Sequence, residues 1–210
     1  MVDWPTVASL ATAFGTLVLA LATFAAVRSA NRAAMAAEHS LLAGLRPLIS
    51  AARFSDPPQK VMWIDRHIAR AEGGRAVVEV VDDVVYLAAA IRNSGNGLAL
   101  LHGWYPYPER KGAEDDHEPP EQFRRLTRDL YVAAGDVGFW QGSIRNGDDP
   151  HRAGVVAAIE AREALTVDIL YGDHEGGQRA IARFALTPWD DGNWLFAPVR
   201  YWNIDLPDPR

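Results

Sequence analysis

The stretch Trp4–Val27, WPTVASLATAFGTLVLALATFAAV, runs 24 residues without a charged side chain, between Asp3 and Arg28. As an α-helix at 1.5 Å per residue it is roughly 36 Å long, enough to cross a hydrocarbon core of about 30 Å with some tilt. Soluble core helices rarely stay uncharged over such a length, so the stretch reads as one transmembrane helix. A cleaved secretory signal fits poorly. Such signals carry a basic n-region and a shorter apolar run, whereas here only Asp3 and the chain's own amino group precede the apolar residues. The segment is therefore expected to stay as an uncleaved signal-anchor.

Beyond it come Arg28, Arg32, Arg46 and Arg53, with Glu38 the one acid among them. An excess of arginine marks the cytoplasmic flank of a membrane span. The expected topology is a single-pass protein of the cell membrane, with its amino terminus outside and its large domain in the cytoplasm. Around the helix, Leu10, Phe14, Leu17, Leu21 and Phe24 share one side, while Ser9, Thr12, Thr16 and Thr23 share another. Small hydroxyl residues let helices approach closely in lipid, which makes the second stripe a candidate homodimer face. The competing account is that these hydroxyls bond carbonyls of their own helix four residues back. Residues 28–45, RSANRAAMAAEHSLLAGL, are rich in Ala and free of Pro, and the first strong breakers are Gly44 and Pro47. The helix is expected to continue as a juxtamembrane stalk, giving segments 1–46 and 47–210. Ala30, Ala34, Leu41 and Leu45 prolong the small-residue stripe along that stalk.

The remainder suits one domain. Hydrophobic residues make up 49% of the chain, enough to supply a core even after the anchor is set aside. Residues 54–210 hold 25 acidic and 17 basic side chains, a net charge of −8, so the domain is not expected to bind nucleic acid. With no Cys, disulfides, thiolate metal sites and cysteine nucleophiles are excluded.

Short β-rich segments follow, separated by turn signals. Residues 47–54 read as a first strand ended by Asp56-Pro57-Pro58, and residues 60–68 as a second. In the second, alternation puts Val61, Trp63, Asp65 and His67 on one side and Met62, Ile64 and Arg66 on the other. Further strands are expected at 76–81, 84–92, 98–105, 129–133, 137–143, 165–171, 180–186 and 194–202. Asp149-Pro150 supplies an N-cap and a first-turn proline, which predicts one short helix over 151–163 burying Val155, Val156 and Ile159. The charged, proline-rich segment 107–126 reads as a long loop, functional or mobile. This pattern predicts a mainly-β, Ig-like sandwich containing one short helix.

Asn93-Ser94-Gly95-Asn96-Gly97-Leu98-Ala99 is the most characteristic motif. Asn bonds backbone across a turn and the glycines admit unusual backbone, so this stretch joins two strands tightly. It resembles the N-x-G-x-G-x-A turn of Ig-like β-sandwich domains in bacterial membrane-tethered proteins. The wider layout (single helix, Ala/Arg stalk ending in Leu45-Arg46-Pro47, then IRNSGNGLALLHGW, GDVGFWQG and YGDHEGGQR) is similar to a family of actinobacterial single-pass membrane proteins. The resemblance covers most of the chain and implies a fold and a location, but no activity.

Acids and histidines gather in Asp115-Asp116-His117-Glu118, in Asp148-Asp149 with His151, and in Asp173-His174-Glu175, without a recognised metal-ligand spacing. No nucleophile elbow, phosphate loop, zinc-protease helix or dinucleotide fingerprint occurs, so no catalytic residue, cofactor or metal is expected. Large aromatics cluster late in the chain, and most belong to a core. Trp104, Tyr105, Tyr107 and Trp140 form a candidate interaction surface, with Tyr105 and Tyr107 the pair expected to be exposed. The function expected is a membrane-anchored, non-catalytic interaction or scaffold protein, with the lipid bilayer and an unidentified protein as partners. An extracytoplasmic sugar- or peptide-binding domain and a metal-dependent enzyme are the alternatives.

Overall fold

A computed structural model describes residues 3–208, apart from the side chains of His39 and Asp191. Residues 1–2 and 209–210, the outermost ends of the two expected segments, lie outside the described residues. The chain divides into two units, residues 1–44 and 45–210.

The first unit is one helix, α1 (Trp4–Gly44), that continues through the expected stalk and stops at the expected glycine. It is long and apolar enough to cross a membrane. Every residue from Trp4 to Val27 is exposed, the pattern of a helix with no protein core to bury itself in.

The second unit is mainly β and antiparallel. Its strands are β1 (Ile49–Ala51), β2 (Gln59–Met62), β3 (Ile68–Ala71), β4 (Arg75–Val81), β5 (Val84–Asn93), β6 (Ala99–Tyr107), β7 (Arg124–Val132) and β8 (Val137–Ile144). After helix α2 (Arg152–Glu160) come β9 (Leu165–Gly172), β10 (Ala180–Pro188) and β11 (Trp194–Asn203). Residues 60–68, expected as one strand, are instead the inner part of a hairpin. Trp63 N–H donates to the His67 carbonyl and Arg66 sits at φ 68°, so the chain reverses between β2 and β3. Asp82 and Asp83 both have positive φ and form the two-residue turn between β4 and β5, the geometry that matches strand twist.

Nine strands make one sheet, in the order β1-β5-β4-β11-β10-β9-β6-β7 with β8 on the other edge of β5. β4 pairs with Val84–Ala89 and β1 with Ile91–Asn93, so these two share one edge of β5 end to end. A sandwich partitions its strands between two sheets, whereas here hydrogen bonding is continuous and the sheet curls into a half-barrel. Register shifts at Arg183/Phe184 and Leu101/Gly103 add local twist where the sheet bends. The curl is visible in the core. Leu87 and Ile91 of β5, Leu101 and Trp104 of β6, Trp140 of β8, Ile169 of β9, Phe184 of β10 and Phe196 of β11 meet in one buried cluster. Helix α2 plugs it with Val155 and Ala158, while Val156 and Ile159 are only partly buried.

Both outer flanks of the sheet are covered as well. The β2–β3 hairpin lays Val61, Trp63 and Ala71 over Tyr86, Ala88 and Ala90 of β5. On the other flank Phe123 meets Leu170, Ile181 and Trp202. Consequently β9 is buried along its whole length.

The segment that enters the domain is gripped by the Asn93 turn. Asn93 is fully buried, and its Oδ1 accepts from Leu48 N–H at 3.1 Å and Gly95 N–H at 3.0 Å. Its Nδ2 donates to the carbonyls of Gly97 at 2.6 Å and Val132 at 3.0 Å. A Cβ at Gly97 would lie 1.7 Å from the Leu45 carbonyl oxygen, and one at Gly95 2.3 Å from that of Arg46. The glycines are there because another backbone passes against them.

Candidate interaction site

Strands β7 and β8 are joined by the turn Ala133–Asp136 and start close together. At that end a Cβ on Gly138 would meet Val132 Cγ2 at 2.8 Å. Further along, the two strands part. β8 pairs with β5 and β7 with β6, and among the described residues neither has a strand partner on the edge that faces the other. β7 also leaves β6 between its pairings at Leu130 and Arg125, so Leu126–Asp129 bulge opposite His102. The result is a wedge-shaped seam, closed at Gly138 and open toward Gly142.

Side chains bridge it. Trp63, from the β2–β3 hairpin, donates its indole N–H to the Gly142 carbonyl at 3.0 Å. Gly142 itself is pressed under the Trp104 ring, 2.7 Å from where its Cβ would lie. Arg128 stacks over Phe139 and donates to the Met62 carbonyl at 3.4 Å and to Gln141 Oε1 at 3.3 Å. Above these bridges lies a cleft of about 410 Å³ lined by Met62, Trp63, Ile64, Arg66, Thr127, Arg128 and Gln141. A smaller hollow of about 110 Å³ shares Trp63, Thr127 and Gln141 and extends to Arg125 and Ser143. Ile64 is 80% exposed and Met62 46%, which leaves apolar surface on the hairpin beside the cleft.

Charge in this region is one-sided. Arg145 pairs with Asp65 at 2.9 Å, and Arg124 forms a two-pronged bond with Asp149. Bonds from Arg124 hold the Asp149 carboxyl below its ordinary range. For Asp65, burial pushes the carboxyl up, but the Tyr86 hydroxyl, the His67 amide and Arg145 pull it further down, for a net lowering. With both acids engaged, Arg66, Arg125 and Arg128 have no acidic partner among the described residues. A guanidinium only donates, so where Arg124 meets His151 Nδ1 at 2.9 Å the imidazole nitrogen accepts, and Nε2 carries the proton toward the Tyr105 hydroxyl.

The expected aromatic surface is corrected by burial. Trp104 and Trp140 lie inside the half-barrel, edge to face at 5.6 Å. Tyr107 is buried and donates to Asp168, and Tyr105 is half-buried between Phe123 and His151. Of residues 107–126, expected as a functional or mobile loop, Tyr107 and Arg124–Leu126 belong to strands, and 108–123 are pinned over both tyrosines by Arg183, which donates to the carbonyls of Gly112, Asp115 and Asp116. Met62, Ile64 and Arg66, expected on one face of a single strand, line one cleft as parts of a hairpin instead. The free strand edges beside them belong to β7 and β8 and are set by long-range pairing.

The loop acids build turns. Asp115 accepts from Gly112 N–H, and Asp173 from the Gly176 and Gly177 amides. No group of three or more His, Asp or Glu placed to hold a metal ion occurs among the described residues. On α1, the hydroxyls of Ser9, Thr12, Thr16 and Thr23 each donate to the carbonyl four residues back, at 2.8–2.9 Å. Their polar capacity is met within the helix, which leaves close packing as the contribution this stripe offers to helix association.

Compared with known proteins, the chain matches no family model, no curated protein and no solved structure.

Proposed function

We propose that the chain is a single-pass membrane protein whose helix anchors a non-catalytic interaction domain, with the amino terminus outside and the domain in the cytoplasm. The observation that carries this reading is the uncharged run Trp4–Val27, exposed over its whole length and followed at once by Arg28 and Arg32. Bilayer contact would cover that apolar surface, and the flanking arginines favour the cytoplasmic side. Within the domain, the buried polar residues Asn93, Asp168 and Arg183 are spent on holding the fold. The β7–β8 seam is a solvent-facing feature with a shape and a charge of its own, which supports binding as the domain's task.

The test is extraction and topology. Membranes washed with alkaline carbonate should retain the chain, and protease added to sealed cells should cleave an amino-terminal tag and spare a carboxy-terminal one. Release into the carbonate supernatant would remove the anchor, and the opposite cleavage pattern would invert the orientation.

A further inference from the structure

The seam between β7 and β8 has three properties that together specify an occupant. First, it offers backbone: two neighbouring strands whose facing edges have no strand partner among the described residues, with the Gly142 carbonyl taken by the Trp63 indole. Unpaired edges are templates that natural proteins either cover or use, and a peptide added as a strand gains main-chain hydrogen bonds irrespective of its sequence. Second, it offers apolar ground on Met62 and Ile64 at the rim of the cleft. Third, it offers unneutralised positive charge from Arg66, Arg125 and Arg128, in a domain whose net charge is strongly negative. Two acids of this region, Asp65 and Asp149, are already bound to Arg145 and Arg124, and Asp129, next to Arg128 in the chain, forms no ion pair with it.

We propose that the β7–β8 seam binds an extended acidic peptide segment of a partner protein as an added strand, its carboxylates meeting Arg66, Arg125 and Arg128 and its apolar side chains resting on Met62 and Ile64. The proposal rests on the interaction-domain reading and names the chemistry of the partner. Alternation along a strand suits it. Successive side chains point to opposite faces, so the single row that faces the cleft carries both the acids that reach the arginines and the apolar residues that rest on Met62 and Ile64. Like charges elsewhere on the acidic domain repel the same peptide, which confines it to the seam.

Arg66 supplies a clean probe. It holds a left-handed backbone at φ 68°, which costs an arginine more than a glycine, so Arg66→Gly removes the charge while easing the turn. The full chain, solubilised in non-ionic detergent, is titrated against a fluorescein-labelled Val-Thr-Glu-Thr repeat peptide, with a Val-Thr-Lys-Thr repeat peptide as control. The acidic peptide should bind saturably and the basic one should not, with binding weakening as salt is raised. R66G, and separately the pair R125E and R128E, should each weaken binding by about tenfold or more. Hydrogen exchange should slow in residues 124–132 and 137–144 when the acidic peptide is present. Absence of saturable binding, equal binding of both peptides, affinity unchanged by either variant, or no protection of those strands would each overturn the proposal. So would the same protection produced by phosphatidylserine in mixed micelles without peptide, which would assign the seam to a lipid surface. A chain that resists carbonate extraction but fails to bind the acidic peptide refutes the seam assignment alone. One that is extracted yet binds the peptide refutes only the anchor.

Discussion

Arg183 and Asp168 face each other from adjacent strands with both side chains wholly excluded from solvent, joined by Nε–Oδ1 and terminal nitrogen–Oδ2 bonds of 2.8 Å each. The guanidinium also lies 4.7 Å from the Trp202 ring centre and holds three carbonyls of the loop above it. Burial pushes the Asp168 carboxyl up, against the pull of Arg183 and the Tyr107 hydroxyl.

Breaking one side of such a pair leaves the other buried and uncompensated, at a cost of roughly 3–5 kcal/mol. The two sides are not equivalent here. With Asp168→Asn, Arg183 keeps its carbonyl partners, whereas Arg183→Met strands a buried carboxylate and releases the loop. Urea unfolding should rank R183M below D168N in stability. Limited proteolysis should cut between residues 108 and 123 in R183M alone, and the double change D168L–R183M should lose less than R183M.

Asn93 makes four hydrogen bonds from a fully buried side chain, two as acceptor and two as donor. Asn93→Ala should cost about 3 kcal/mol, since several bonds are lost and the backbone groups left behind stay buried. Asn93→Asp should be worse at neutral pH, because a carboxylate would point at the Gly97 and Val132 carbonyls. Protonation restores a donor at that position, so the deficit of N93D relative to N93A should shrink as pH is lowered. Chemical denaturation at two pH values decides this.

The acid limb of stability follows from carboxyls held below their ordinary value of 3.8. For Asp149 the main cause is hydrogen bonding from Arg124, and for Asp205 it is hydrogen bonding from Arg179. A carboxyl with a lowered folded pKa binds fewer protons folded than unfolded. Its stabilisation is therefore complete above about 3.8 and drains away as pH falls below that value through the folded pKa. Replacing Asp149 by Asn should lower stability at neutral pH and flatten the acid limb. A limb of unchanged steepness in D149N would remove Asp149 from this account.

Trp63 holds the hairpin beside the open end of the seam, by its buried ring and by its indole N–H on the Gly142 carbonyl. Trp63→Phe keeps the packing and leaves the Gly142 carbonyl without that donor, at about 1 kcal/mol. Trp63→Ala also opens a cavity beneath the hairpin, at roughly 3–5 kcal/mol. Amide exchange along 137–144 should speed up in both variants, and more in the second.

How much of this was legible beforehand depended on the range of the interaction. The helix was readable almost to the residue, because uncharged length and Gly44 are local signals. Strands β4, β5, β9, β10 and β11 were also found near their limits, since each is a run of apolar or β-branched residues between turn formers. The hairpin at 60–68 was missed because its reversal uses Arg66 in a conformation that sequence assigns to Gly or Asn. The sheet's continuity was missed as well, since register and bulges are set by pairing between distant segments, as at Arg183 and Arg200. The aromatic site failed for a related reason. Tyr105 and Tyr107 look exposed in a strand that ends in a polar loop, and only the buried Arg183 shows that the loop folds back over them.

The grip at the start of the domain has a mechanical meaning. Leu48 is held twice, its amide by Asn93 Oδ1 and its carbonyl by the Ser94 amide at 2.7 Å, just before the three-residue strand β1 begins. Tension arriving along the backbone from Gly44 therefore meets a clamp on Leu48 before it can peel β1 from β5. If the helix is fixed in a bilayer while a partner tugs on the open end of the seam, rupture starts at this clamp and the half-barrel keeps its shape until it yields. A pulling experiment on the full chain should show N93A giving way at lower force than the intact protein, with the remaining unfolding trace unchanged.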